Sequence, residues 1–327
     1  MKTPSPANRR LCVVIGLALT LILPALAVVV LRKPADATAP PSGGSVRIVS
    51  QTAGTDEFLL ALADPAQIAA LSQLAHDPRY SATAEQARAY PRLPDNADAE
   101  TILRHRPTHV LFADFSRPDL VAQVRRSGVA VLVFDRYNTL EDTYANLQRL
   151  ASLLGADATR RAGQIISESQ RRVNALREKL QGVKPVRVVS ISIYGLIPGD
   201  RTNFQDFCDH AGAENLAKTL GKITGHAPPN AERLLGWPVE KLVLVADSST
   251  PHPDTPPTAG EIEQALDVFR KINPYRFMPA VRETRAVLLP AWQGSCVTHH
   301  RIACYEYLAR QLHPERFLRE PGEKTPP

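Results

Sequence analysis

Short apolar runs rich in β-branched residues alternate with longer segments of helical spacing along the first part of the chain. Four of these runs are predicted as strands, at Val46–Ser50, Ile68–Leu71, His109–Ala113 and Val129–Asp135. The segments between them carry apolar residues on one helical face. Strands that alternate with helices form parallel sheets covered by helices, so residues 46–154 are predicted to form an α/β lobe.

The pattern changes after Thr139, where helical periodicity becomes continuous. Between Ala156 and Leu180 the apolar positions fall on one stripe of a single long helix, which Gly182 and Pro185 end. This connecting helix, assigned to residues 155–182, is long enough to reach from one domain to the next.

Strands and helices alternate again after the long helix. Strands are predicted at Val186–Ile193, Leu242–Ala246 and Ala286–Leu289, and an amphipathic helix at His299–Leu312. A second lobe is therefore expected at residues 183–319, followed by a flexible tail at 320–327. The predicted fold class is α/β, with two Rossmann-like lobes joined by a single long helix.

One unit of sequence occurs in both predicted lobes. Residues 96–113 contain a short helix that begins near Glu100, then Pro107, then a buried strand. Residues 230–246 repeat this order with Glu232 and Pro238. In both copies the proline ends the helix, because its ring blocks helical continuation. The repeat predicts two lobes related by pseudo-symmetry.

The first segment has the composition of a targeting sequence. Lys2, Arg9 and Arg10 precede an uncharged apolar run at residues 11–31, and a Pro/Gly/Ser-rich linker follows at residues 38–45. Two interpretations stay open: residues 1–37 are a cleaved signal peptide, or they are a retained N-terminal membrane anchor. Both place the folded part in the periplasm, either exported or tethered to the inner membrane.

Most of the positive charge belongs to that leader. The whole chain of 327 residues has a formal charge of +6, and residues 1–37 hold five basic side chains and one acidic side chain. The remaining chain is left with +2, so no nucleic-acid partner is indicated. It keeps three cysteines, which permit one disulfide, and Cys208 with Cys304 is favoured because both lie on predicted helices.

Parallel sheets bind ligands beyond the carboxyl ends of their strands, so the loops after the predicted strands should line a cleft between the lobes. Aromatic rings and arginine or tyrosine donors suit a bulky ligand that has apolar faces and peripheral oxygens. The candidate contacts on these loops are Tyr80, Phe115, Arg136, Tyr137, Tyr194, Arg201, His226 and Trp292.

The sequence carries little sign of metal ligation or catalysis. Neighbours such as His299 and His300 point about 100° apart on a helix, so the two do not easily bind one ion. The cysteine spacing differs from that of zinc sites, and the common nucleophile, phosphate-loop and zinc-protease motifs are missing from the sequence. We therefore predict a protein that is not an enzyme and that has no metal site or cofactor of its own.

The ordered set of segments resembles the iron-complex and cobalamin class of periplasmic solute-binding proteins, over about Val46 to Phe317. No single motif is diagnostic, but the order and spacing are similar throughout. The segments are Arg47–Ser50 and Thr55–Glu57, Tyr90-Pro91, Glu100–Ala113, Thr139–Asp142, Asp206-Phe207, Gly212–Asn215, Thr224–His226 and the Glu232 unit.

This resemblance implies the substrate-binding component of an ABC importer, a class III periplasmic binding protein that is expected to be a monomer. The implied ligand is a metal chelate, and ferric siderophore, haem and cobalamin all stay open. The implied partners are the membrane permease and its ATPase, and Glu100 and Glu232 match the glutamates with which the family docks to the permease. A membrane-tethered metal-handling enzyme or scaffold on the same fold is the alternative.

Overall fold

A computed structural model describes residues 46–246 and 256–318. The predicted leader, the linker and the tail from residue 320 lie outside the described residues. The N-terminal lobe is built on a four-stranded parallel sheet with the order β2-β1-β3-β4. Its strands are β1 (Ile48–Ser50), β2 (Ile68–Ala70), β3 (His109–Ala113) and β4 (Ala130–Phe134).

Helices cover both faces of this sheet, because the strands are apolar on both sides. One apolar cluster packs β1 and β3 residues against the first helix and the two long helices at the end of the lobe, and another packs them against shorter helices on the opposite face. The helices are α1 (Ala53–Leu62), α2 (Ala84–Ala87), α3 (Ala99–Arg104), α4 (Pro118–Arg126), α5 (Leu140–Leu154) and α6 (Ala156–Lys179).

Helix α6 is the connection between the lobes. Ala158 and Ala162, in its first half, are buried in the N-terminal core. Val173 and Leu176, further along, are buried in the core of the second lobe. A single helix of 24 residues therefore contributes to both cores, which limits independent rotation of the lobes.

The C-terminal lobe has its own four-stranded parallel sheet, with the order β10-β9-β5-β7. A separate antiparallel pair joins β6 to β8. The strands are β5 (Val186–Ser190), β6 (Ile197–Pro198), β7 (Ala213–Asn215), β8 (His226–Ala227), β9 (Lys241–Val245) and β10 (Ala286–Leu289).

Helices again lie on both faces of the second sheet. The last of them, α13, packs on α7 and on β10, and its apolar side fills the core next to α6. The helices are α7 (Asn203–Ala211), α8 (Leu216–Thr219), α9 (Ala231–Leu235), α10 (Ala259–Leu266), α11 (Pro279–Arg282), α12 (Ala291–Gly294) and α13 (Arg301–Leu312).

The two sheets have the same topology. If the main strands of each lobe are numbered along the chain, both sheets have the order second, first, third, fourth. Helices α3 and α9 lead into the third strand of their lobes, as the sequence repeat predicts. The predicted two-lobed α/β fold with one connecting helix is therefore confirmed.

Two parts of the second lobe differ from the sequence prediction. Strand β7 is too short and polar to have been predicted, and it is held by parallel pairing with β5 at the edge of the sheet. The predicted strand at Val186–Ile193 ends early, at Ser190, because the chain turns toward β6. Among the described residues no helix is both long and apolar enough to cross a membrane.

Candidate functional site

A cavity of about 430 Å³ lies between the lobes, at the carboxyl ends of the N-terminal strands. Every strand of that lobe contributes residues that follow it, and the second lobe contributes the segment after β10. The wall of the cavity is mostly apolar. The residues that line it are Gln51–Thr55, Glu57, Phe58, Leu74, Tyr80, Ala113, Phe115, Phe134, Tyr137, Asn146, Trp292 and Ser295–Val297.

The start of α1 forms the floor of this cavity. Thr52 caps the helix, and its hydroxyl accepts a hydrogen bond from the backbone N–H of Thr55. The Thr55 hydroxyl lies 2.7 Å from the hydroxyl of Ser50, which ties the helix to the end of β1. Gly54 faces the other lobe closely, since a Cβ there would lie 2.8 Å from Cγ2 of Val297. A larger residue at position 54 would have to displace the Val297 side chain, so glycine favours this close approach of the lobes.

Phe115 and Tyr137 form one aromatic wall. Their rings meet edge to face, with the centroids 6.1 Å apart. The Tyr137 hydroxyl donates a 2.6 Å hydrogen bond to Asp114, which fixes the ring at the end of β4. Burial and the Asp114 carboxylate raise the pKa of Tyr137 to about 12, so this phenol stays protonated at neutral pH.

Tyr80 reaches the cavity from the loop after β2. Its side chain is 44% exposed, and the guanidinium of Arg79 lies over the ring, 5.4 Å from the centroid. No described residue hydrogen-bonds the Tyr80 hydroxyl. Trp292, at the start of α12, lines the cavity from the opposite lobe. The two aromatic side chains thus belong to different lobes of one site.

A buried carboxylate connects the lobes beneath the cavity. Glu57 accepts hydrogen bonds from the backbone N–H of Ala82 and the hydroxyl of Ser81 in its own lobe. Its other oxygen accepts a 2.6 Å hydrogen bond from the Thr298 hydroxyl of the second lobe. The carbonyl of Val297 also accepts a hydrogen bond from Thr143. The segment before α13 is therefore fixed against the N-terminal lobe.

The buried side chain of Arg301 forms a second connection between the two lobes. Its side chain is fully buried, and Nη2 donates a 3.1 Å hydrogen bond to the carbonyl of Tyr137, a cavity residue. Nη1 lies 3.3 Å from Asp206, whose carboxylate also accepts hydrogen bonds from Tyr305 and from the backbone of Leu140. Burial raises the pKa of Asp206, and the Arg301 charge opposes that shift.

Four of the eight predicted contacts, Tyr80, Phe115, Tyr137 and Trp292, are brought together around this cavity. The other four do not line it. Arg136 is exposed and paired with Asp142 at 2.9 Å. Tyr194 is 82% exposed, and Arg201 and His226 are exposed residues near the β6–β8 pair. Ligand binding by all eight side chains stays a prediction.

The predicted disulfide is absent from the described part of the chain, where Cys208, Cys296 and Cys304 are buried free thiols. Burial raises the pKa of the Cys304 thiol, and the neighbouring thiol that raises it further is Cys296. Helix α13 begins only at Arg301, so Cys296 lies in the segment before the helix and Cys304 in its first turn.

His299 and His300 lie at the start of α13, with their ring centroids 4.1 Å apart. Nδ1 of His299 and Nε2 of His300 are shielded from solvent and have no hydrogen-bond partner among the described residues. Burial, with a smaller effect of His300, lowers the pKa of His299 to about 3. Within residues 46–246 and 256–318, no cluster of three or more histidine, cysteine or acidic side chains is placed to hold a metal ion.

Sequence reasoning missed Glu57, Thr298 and Arg301 as residues that hold the site. Glu57 lies in a segment that the family resemblance singled out, but its charge on a helix is typical of a solvated face. An arginine at the start of a helix, such as Arg301, is also usually exposed to solvent. Only the packing of the second lobe against the first shows that both are buried.

The chain belongs to the periplasmic binding protein family, whose model matches residues 48–291. Members of this family are substrate-binding proteins of the periplasm. No curated protein sequence matches the chain significantly.

Several solved structures share the fold. The periplasmic haem-binding protein RhuT from Roseiflexus sp. RS-1, in apo form, is 22% identical, with 81% of this chain and all of that chain covered and a TM-score of 0.61. The haem-binding protein HutB of Vibrio cholerae is 20% identical, with 83% and 98% covered and a TM-score of 0.61. BhuT, solved with two haems, is 20% identical, with 84% and 100% covered and a TM-score of 0.65.

Proposed function

We propose that this protein is the substrate-binding component of an ABC importer and that it captures a metal chelate in the cavity between its lobes. The observation that carries the proposal is the aromatic lining, to which Tyr80, Phe115 and Tyr137 contribute from one lobe and Trp292 from the other. Flat apolar ligands gain most from such rings, through burial and stacking. The ligand is released unchanged to the permease.

Haem is the chelate that we propose first. Its macrocycle presents two large apolar faces, and the similar structures RhuT, HutB and BhuT are described as haem-binding proteins. Ferric siderophores and cobalamin are the competing ligands, because they too combine a metal centre with a bulky organic frame. The apolar lining of the cavity suits a macrocycle better than a highly charged chelate.

Tyr80 is the side chain proposed to contact the metal or its nearest substituents. Phenolate oxygen is an established ligand of ferric haem iron. Of the two cavity tyrosines, Tyr137 already donates its hydroxyl hydrogen bond to Asp114, whereas Tyr80 lines the cavity without a hydrogen-bond partner for its hydroxyl among the described residues. Tyr80 is therefore the better placed of the two.

The test is equilibrium titration of the purified protein with haemin, cyanocobalamin and a ferric catecholate, followed by absorption spectroscopy. We expect saturable binding of haemin with one set of spectral changes, and weaker or no binding of the others. Tyr80→Phe should alter the haem spectrum, and Tyr80→Ala should weaken affinity by about fivefold, since a lost aromatic contact costs on the order of 1 kcal/mol.

Phe277→Ala is the matched control, because Phe277 is an exposed aromatic residue of the second lobe that does not line the cavity. Tyr194→Ala reports whether the ligand extends beyond the cavity to the outer rim. Equal affinity of the wild type and Tyr80→Ala for every chelate would refute the proposed site. If cyanocobalamin or the ferric catecholate saturates the protein more readily than haemin does, the proposed transport role holds and that chelate replaces haem as the proposed ligand.

A further inference from the structure

Two of the three thiols in the described chain lie together behind the cavity wall. Cys296 lines the cavity after α12, whereas Cys304 is fully buried in α13. Both lie in one buried cluster of the second lobe, and burial and then the neighbouring Cys296 raise the pKa of the Cys304 thiol. Cys296 Sγ also lies 3.7 Å from the Thr298 hydroxyl, and the Cys304 thiol donates to the carbonyl of His300 at 3.7 Å. One thiol of the pair thus faces a solvent-connected space and the other lies directly behind it.

We propose that Cys296 and Cys304 form an oxidisable dithiol that closes to a disulfide by exchange with a small disulfide entering through the cavity. The compartment expected for an exported binding protein supplies such oxidants. Cys208 does not take part, because no thiol of the described residues is among the groups that act on its pKa. The charged groups that act on Cys208 are Asp206, Asp209 and Lys218.

The exchange has two balanced steps. The Cys296 thiolate attacks one sulfur of the small disulfide, and the thiolate that leaves takes up the proton that Cys296 lost. The Cys304 thiolate then attacks the Cys296 sulfur of this mixed disulfide and releases the second small thiol. In sum, one small disulfide is reduced to two thiols, while two cysteines are oxidised to one cystine.

The order of these steps follows from access. Only Cys296 touches the cavity, so the incoming disulfide meets it first. Burial raises the pKa of the Cys304 thiol well above its usual range, which leaves little thiolate for the second step at neutral pH. Closure is therefore slow at neutral pH and faster in mildly alkaline solution.

The bond would span the segment that holds the lobes together. Between the two cysteines, Val297 accepts a hydrogen bond from Thr143, Thr298 donates to Glu57, and Arg301 donates to Tyr137. Cross-linking the ends of this segment restricts the unfolded chain and stabilises the folded one. The oxidation state of the pair is thus coupled to the stability of the cleft.

The experiment treats reduced, full-length protein with oxidised glutathione, quenches with acid, and alkylates the remaining thiols after denaturation. Tryptic cleavage after Arg301 separates the two cysteines, so a linked pair of peptides, Ala286–Arg301 and Ile302–Arg310, identifies the bond by mass. We expect this pair, an alkylated Cys208, a higher melting temperature than that of the reduced protein, and a rate that increases with pH.

Two variants test the order of events. Cys304→Ser should stop at a glutathione adduct on Cys296, because the second nucleophile is missing. Cys208→Ser should close as fast as the wild type. Full alkylation of Cys296 and Cys304 after prolonged oxidation at mildly alkaline pH would overturn the proposal, and so would a bond from Cys208 to either of them.

Discussion

The hydroxyl of Thr298 donates a 2.6 Å hydrogen bond to Oε2 of Glu57, and this bond runs from one lobe to the other beneath the cavity. Both residues are buried: the exposed fraction is 0% for Thr298 and 4% for Glu57. A buried carboxylate needs hydrogen-bond donors. Glu57 accepts two hydrogen bonds from its own lobe and one from the other lobe. The mutual position of the cavity walls therefore depends on this contact.

Thr298→Val should remove that donor and leave the shape of the side chain nearly unchanged. We expect a loss of about 1–2 kcal/mol in the free energy of unfolding, because one buried carboxylate oxygen loses its partner. Chelate affinity should fall as well, since the bond fixes the cavity. Urea unfolding and ligand titration measure the two effects.

Thr219→Val is the control for Thr298→Val. Thr219 donates a 2.8 Å hydrogen bond to Glu214, so it is also a threonine–glutamate pair, but within one lobe. This variant should leave chelate affinity unchanged. Equal affinities of both variants and the wild type would show that the Glu57–Thr298 contact does not shape the cavity.

Arg301→Met should be among the most damaging single changes in the second lobe. It leaves the Asp206 carboxylate buried without its cation and frees the Tyr137 carbonyl. Breaking a buried ion pair from one side costs about 3–5 kcal/mol. Arg310→Met, an exposed position on the same helix, should change stability little.

Adding Asp206→Asn to Arg301→Met separates the charge effect from the packing effect. The double variant should recover part of the lost stability, because no charge is then left unpaired. Chemical denaturation of the four proteins gives the coupling energy. Strict additivity of the two substitutions would contradict the interpretation that Asp206 and Arg301 act as a pair.

The two lobes, the connecting helix and the repeat were predictable because they depend on the period of apolar residues, which every strand and helix carries locally. Four of the eight side chains predicted to contact the ligand line the cavity. Tyr80, Phe115, Tyr137 and Trp292 lie on loops after strands, and topology alone brings such loops together. The proximity of Cys296 to Cys304 and the burial of Arg301 depend instead on tertiary packing, which no local pattern encodes.

Acid should destabilise the protein through His299. Its pKa is lowered to about 3 in the folded protein, against about 6.5 in the unfolded chain, so the unfolded state binds more protons between these values. Its contribution to stability is complete above pH 6.5 and falls as the pH decreases from there toward 3. The loss should be about 1.4 kcal/mol per pH unit between these two pKa values.

Asp56 acts in the opposite direction, and a variant separates the two. Burial raises the pKa of Asp56 to about 6, so its contribution to stability is complete below pH 3.8 and is lost as the pH rises through about 6.

The variant His299→Asn keeps Asp56 and removes the histidine. Relative to the wild type, this variant should gain stability as the pH falls from 6.5 to 4.5, as measured by denaturation at each pH. A constant difference across that range would show that His299 does not titrate on unfolding.

Glu100 and Glu232 are proposed to dock the protein on its permease. Both are exposed residues in the first turns of the matching helices α3 and α9, and neither forms an ion pair with a described residue. Glu100→Arg with Glu232→Arg should leave chelate affinity unchanged. Binding to permease in nanodiscs should weaken by about 2–5 kcal/mol, because each charge would meet a like charge.

Asp95→Arg with Glu178→Arg controls for the change in net charge. Both positions are exposed and outside the repeated helices, so this protein should dock normally. Normal docking by the Glu100→Arg, Glu232→Arg protein would refute the role of these glutamates. Loss of chelate binding in that variant would instead show that the two helices contribute to the cleft.

The most direct test of the central claim uses the two tryptophans of the chain. Trp292 lines the cavity, whereas Trp237 lies next to α9 and packs in the core of the second lobe. In a Trp237→Phe protein, all tryptophan fluorescence comes from Trp292, and titration with haemin should quench it to saturation at one equivalent. In a Trp292→Phe protein, the remaining emission from Trp237 should fall much less, because energy transfer weakens with distance. Strong saturable haemin binding that leaves the Trp292 emission unchanged would contradict the assignment of the ligand to this cavity.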